Sequence, residues 1–153
     1  MNRLRLRVLV VITAAMVLSV GAFAFQWTSV QGSGSGNAIS QNQFQSPGVI
    51  KVGGESFDVV STATILGILP GAGHTLVATA THTIDFGGGD TITTEDTGLL
   101  VPVNQVGLYQ VSIKSDIVGG TGRFSGSTGK LTFNGRVNLA TGQLSWQVHG
   151  QVN

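Results

Sequence analysis

From Lys130 to the end of the chain, apolar and polar positions alternate almost without interruption. Leu131, Phe133, Gly135, Val137 and Leu139 fall on one face of an extended segment, and Lys130, Thr132, Asn134, Arg136 and Asn138 fall on the other. After a turn at Ala140-Thr141-Gly142, Leu144, Trp146, Val148, Gly150 and Val152 oppose Ser145, Gln147, His149 and Gln151. The pattern predicts a hairpin with one buried face. Val106 to Ile117 alternates in the same way, with Tyr109, Val111, Ile113, Ser115 and Ile117 on the apolar face. So does Thr75 to Phe86, where Leu76, Ala78, Ala80, His82, Ile84 and Phe86 share a face. Gly87-Gly88-Gly89-Asp90 reads as a turn into a strand from Thr91 to Asp96. Leu99 to Val103, which contains Pro102, reads as an edge or a bulge. Upstream, Ser56 to Leu66 and Val49 to Val52 complete a count of about eight strands joined by short glycine turns.

Such a count predicts an all-β, single antiparallel, closed barrel over 49–153, because closure removes exposed strand edges. An open sandwich is the alternative. The interior of the barrel is expected to take Val111, Ile113, Phe133, Val137, Trp146 and Val148.

Composition agrees with one β-rich domain. The chain has 153 residues, 23 of them glycine, and no cysteine, so disulfides, thiolate metal sites and cysteine nucleophiles are all excluded. The first 24 residues read as a Sec signal peptide. Arg3, Arg5 and Arg7 form the positive region, Val8 to Val20 the apolar region, and Ala22-Phe23-Ala24 a cleavage motif. An uncleaved anchor is the other reading of the same run. Residues 25–48, rich in Gln, Ser and Gly and including Gly32-Ser33-Gly34-Ser35-Gly36, are expected to form a flexible tether.

Removing the signal changes the charge balance. Five basic residues (Lys51, Lys114, Arg123, Lys130 and Arg136) then face seven acidic ones, a net charge of −2. Scattered cations of this kind do not supply the clustered phosphate contacts of a nucleic-acid binder. The mature chain is expected to be secreted or periplasmic, with no membrane span after cleavage.

Between the last hairpin and the strand before it lies Ile117-Val118-Gly119-Gly120-Thr121-Gly122-Arg123-Phe124-Ser125-Gly126-Ser127-Thr128-Gly129-Lys130-Leu131. Gly119, Gly120, Gly122, Gly126 and Gly129 make it a structural joint, since glycine permits positive φ and close backbone approach. This joint resembles that of the allene oxide cyclase and dirigent barrels. The segment from His82 to Thr91, continuing through Asp96-Thr97-Gly98, resembles bacterial exported proteins of the same group. The resemblance implies an eight-stranded antiparallel barrel with an apolar interior, a homotrimer, and a cavity able to shape a reactive intermediate. No active-site residue is carried over, because the early strands show no cyclase motif.

Several motif shapes dissolve on inspection. Gly126-Ser127-Thr128-Gly129-Lys130 lacks the glycine and the Ser or Thr that a phosphate loop requires at Phe124 and Leu131. Gly120-Thr121-Gly122 has Ser125 where a dinucleotide motif has its third glycine. Asp85, Asp90, Glu95 and Asp96 flank one hairpin, which is ordinary turn chemistry rather than a calcium site. His74, His82 and His149 share no zinc spacing. Neither metal nor cofactor is expected.

His82 is the residue that stands out. The alternation sets its imidazole among apolar neighbours, where it must find a partner. With Tyr109, Ser61 or Ser115 it is a candidate to orient a ligand or move a proton, against the plain reading of a hydrogen-bonded core histidine. The expected function is therefore an exported barrel that binds a small apolar molecule or self-assembles. An isomerase or cyclase that confines its substrate is the alternative.

Overall fold

The computed structural model describes residues 26–153. They form eight strands: β1 (Thr28–Ala38), β2 (Gln43–Val52), β3 (Glu55–Pro70), β4 (Leu76–Asp85), β5 (Thr91–Pro102), β6 (Leu108–Thr121), β7 (Gly129–Asn138) and β8 (Gln143–Val152). Each pairs antiparallel with the next, and β8 pairs with β1, so the sheet closes in simple up-and-down order. The closed antiparallel barrel expected from the alternation is thus the observed fold. Its helical content among the described residues is two single 3₁₀ turns, Ala72–His74 and Gly122–Phe124.

Two boundaries differ from the sequence expectation. Residues 26–48 are not a tether: they hold β1 and the first half of β2. Gly32, Gly34 and Gly36 occupy successive inward positions of β1, and Gly34 lies across from both Gly48 and Trp146. A Cβ on Gly34 would collide with the Trp146 ring, and one on Gly48 would stand 2.8 Å from it. The glycines therefore leave space that a large aromatic fills. Ladder bonds on both sides, together with that burial, outweigh the ordering entropy of a segment that looks too polar to fold. The signal segment 1–24 lies outside the described residues.

The second difference concerns β5. Thr91 to Asp96 and Leu99 to Val103 are one continuous strand up to Pro102, flanked on both sides by partners rather than at an edge. Pro102 is tolerated because it is the last residue of the strand. The count of eight is met because β1 adds a strand while β5 merges two. Val49 to Val52 is the end of the longer β2.

The interior divides into two ends. At the end where β1 begins and β8 finishes, Val30, Ile50, Ile84, Ile92, Leu131 and Val148 pack one continuous core with Phe133 and Trp146. The turn Gly122–Phe124 folds over this end and inserts Phe124 against Phe86, with ring centroids 4.6 Å apart. Gly122, at φ 59°, permits the turn. Arg123 then clamps the plug from outside: its Nε donates to Asp90 Oδ2 at 2.6 Å, and its guanidinium lies 4.8 Å from the centre of the Phe57 ring. Of the six interior residues expected from the sequence, Phe133, Val137, Trp146 and Val148 are buried. Val111 and Ile113 are half-buried: both border the cavity, Val111 beside Val137 and Ile113 against the edge of the packed core.

Candidate functional site: a polar wall in a hollow barrel end

The inward residues of the hollow end are small where those of the filled end are large. Ala63 on β3, Ala78 and Ala80 on β4 and Gly98 on β5 leave a cavity of about 130 Å³, completed by Leu100, Val111, Val137 and Leu144. His82 sits where β4 changes from alanine to Ile84 and Phe86, so its ring forms the inner wall of the cavity. The alternation that places it inward is the one visible in the sequence.

Its partners come from the two neighbouring strands. Ser61 on β3 also points inward, and its Oγ is hydrogen-bonded to His82 Nε2. On the opposite side of the ring, Nδ1 faces Asp96 Oδ2 on β5 at 3.5 Å, too far for a well-formed hydrogen bond. Thr94, also inward on β5, donates to Asp96 Oδ1 at 2.6 Å. The Phe133 ring tilts over the imidazole at 4.9 Å. Serine hydroxyl, imidazole and carboxylate therefore stand in line across β3, β4 and β5, with each ring nitrogen facing one partner.

Electrostatics follow from that arrangement. Burial pushes the Asp96 carboxyl up, but the polar groups set around it, the His82 ring and the Thr94 and Ser115 hydroxyls, outweigh that push. The net effect holds Asp96 below its ordinary value of 3.8. Among the described residues, two buried side-chain polar atoms lack a hydrogen-bond partner, His82 Nδ1 and Ser115 Oγ. Ser115 lies directly across from Asp96 in the β5–β6 ladder.

Two further residues extend the wall. Ser46 on β2 faces Ser61 across the β2–β3 ladder and lines the same cavity. It accepts a hydrogen bond from Trp146 Nε1 at 2.7 Å. This buried polar arc spans β2 to β6, while β7 and β8 oppose it with the aromatic faces of Phe133 and Trp146.

Of the residues singled out from sequence, Ser61 and His82 are brought into contact, and Ser115 stands across from their partner Asp96. Tyr109 is not joined to them: it packs half-buried against Ala78, Leu100 and Val137 nearer the mouth. Asp96, which the sequence reads as turn chemistry, is instead an inward, buried residue of β5, and Thr94 and Ser46 carry no expectation from the sequence. The signal for the first two was the inward series Ile92, Thr94, Asp96, Gly98, Leu100, hidden by ending the strand at Asp96. Ser46 was hidden by reading its segment as a tether. Asp85 and Asp90 belong to the β4–β5 turn, where Asp85 accepts from the Gly87 backbone and Asp90 pairs with Arg123. His149 is exposed on β8. Gly119 and Gly120 end β6, and Gly126 and Gly129 take positive φ at the plug.

Comparison with protein-family models, curated proteins and solved structures returned no match. The class that fold and site define is an eight-stranded up-and-down β-barrel with one packed and one hollow end.

Proposed function

We propose that this protein is an exported binding barrel for a small, mainly apolar molecule carrying one polar group. The observation that carries the reading is the hollow end. An apolar cavity there terminates on a hydrogen-bonding wall, which is the usual composition of a small-molecule site. The apolar part of the ligand lies against Ala78, Leu100 and Val137, and its polar group meets Ser61 and His82. Native mass spectrometry of protein purified from its own envelope fraction tests this. A co-purifying small molecule is expected, and a ligand-free barrel that also binds no neutral apolar dye contradicts it.

Export rests on the arginine-led apolar segment and its cleavage motif at Ala22-Phe23-Ala24. Cleavage after Ala24 leaves β1, which starts at Thr28, whole. The same mass measurement should return a chain beginning at Phe25; an intact chain from Met1 contradicts cleavage. Membership of the allene oxide cyclase and dirigent group, with trimer formation, is part of the proposal. Its support is the glycine joint and an outward apolar row of Leu69, Val77 and Leu99, aligned across β3, β4 and β5. Leu69 and Leu99 are exposed. Light scattering should give three times the chain mass, and a monomer contradicts it. A confined isomerisation is the second reading, favoured by the placement of His82 on the cavity wall where it can exchange a proton with a bound substrate.

A further inference from the structure

We propose that Ser61 is a nucleophile and that the cavity hydrolyses small uncharged esters. The inference rests on the cavity of the binding reading but asks more of its wall. A serine nucleophile needs a base in hydrogen-bond reach, a group that orients the base, a donor for the developing oxyanion, and space for the acyl group. Each is present around Ser61.

The base is His82, whose Nε2 is hydrogen-bonded to Ser61 Oγ. The orienting group is Asp96, which faces the other ring nitrogen at 3.5 Å and is itself fixed by Thr94. This is the order of roles that activates serine on unrelated folds, recognised by geometry and not by position in the chain. The oxyanion donor is Ser46. Because its Oγ accepts from Trp146 Nε1, its own proton remains free to donate, and the acceptor role polarises the hydroxyl. Directly paired inward positions such as Ser46 and Ser61 stand about 5 Å apart at Cβ. Both residues line the cavity, so a carbonyl held over Ser61 has the Ser46 hydroxyl as its neighbour.

The chemistry balances. Ser61 Oγ bonds to the ester carbonyl carbon as its proton passes to His82 Nε2, and the carbonyl oxygen takes the negative charge facing the Ser46 hydroxyl. Collapse breaks the bond to the alcohol, which departs with the proton held by His82. Water entering from the open end repeats the two steps on the Ser61 acyl group and releases the carboxylic acid.

Substrate class follows from size and charge. A cavity of about 130 Å³ holds an acyl chain of a few carbons. The four loops at the hollow end, 39–42, 71–75, 103–107 and 139–142, contain no Asp, Glu, Lys or Arg. Arg136 is the one cation among the described residues that line the cavity, and it is exposed on β7, so the apolar inner surface favours an uncharged ester.

The test is covalent labelling of the purified protein with a short-chain alkyl fluorophosphonate, read by intact mass and peptide mapping. A neutral apolar dye, N-phenyl-1-naphthylamine, is titrated in parallel. One adduct is expected, on the peptide carrying Ser61, together with hydrolysis of p-nitrophenyl butyrate. Ser61→Ala should lose the adduct entirely, His82→Ala should slow labelling by about 100-fold or more, and Ser46→Ala should slow turnover by about 100-fold. Mapping of the wild-type adduct locates the nucleophile even where a variant fails to fold. Dye binding without an adduct overturns the nucleophile and leaves the binding reading standing. An adduct on another residue also overturns it, and absence of both dye binding and adduct overturns the two together.

Discussion

The two ends of this barrel are built from the same strands and differ in what the inward positions carry. At the filled end, β4 contributes Ile84, next to Phe86, and β5 contributes Ile92, all buried against the Phe124 plug. At the hollow end, the same two strands contribute Ala78, Ala80 and Gly98. A strand delivers one inward side chain per two residues whatever its size, so side-chain volume alone decides whether closure yields a core or a cavity. Stability is thereby concentrated at one end, leaving the other free to host a site. The polar arc from Ser46 to Ser115 lies buried at the boundary, and Ser46, Ser61, His82 and Asp96 of it line the cavity.

The sharpest way to break the comparison is to truncate one large residue at each end. Phe133→Ala, in the packed region, should cost about 3–5 kcal/mol, whereas Val111→Ala, half-buried near the mouth, should cost about 1 kcal/mol. Urea unfolding of the two variants checks the difference, and equal losses would contradict the division. Next in size is Ser46→Ala. It leaves the buried Trp146 N–H without its acceptor and should lower stability by about 1–3 kcal/mol. Acid comes third. Asp96 holds its charge to lower pH in the folded barrel than in the unfolded chain. As pH falls below about 4, protons therefore bind the unfolded chain first, and stability drops until the folded carboxyl is protonated too. Asp96→Asn should flatten that part of the stability profile against pH. Arg123→Ala should give the smallest change, a slight fall in melting temperature that shrinks at high salt, because its pair with Glu55 is exposed and its pair with Asp90 partly so.

Much of this architecture is legible as alternation. β4, β6, β7 and β8 declare their inward faces because one face is apolar and the other is not. β1 does not, since its inward face is glycine at Gly32, Gly34 and Gly36, and what requires glycine lies on other strands: Val49, Ile50, Gln45 and Ser46 on β2 and, at Gly34, Trp146, more than a hundred residues away. A single-strand pattern cannot show a cavity filled from another strand. Asp96 was obscured for a related reason: it is a charged residue on an inward face, and its dryness depends on His82 and Thr94 lying around it. His82 was visible because its neighbours on the same strand are apolar. Ser61 was a candidate by type, and its contact with His82 is set by the β3–β4 register. Tyr109 lies on the face that alternation predicts but apart from His82, since alternation gives direction and not distance along the barrel.

The central claim is that the hollow end is a ligand cavity bounded by the His82 wall, and filling it is the most direct test. Ala80→Phe places a ring in the cavity from a position that stands across from Ile65 and Asp96. Titration with N-phenyl-1-naphthylamine should show saturable binding, one dye per chain, in the native protein and none in Ala80→Phe, with unfolding of the variant still cooperative. No saturable binding to the native protein, or undiminished binding to a folded Ala80→Phe, would contradict the account.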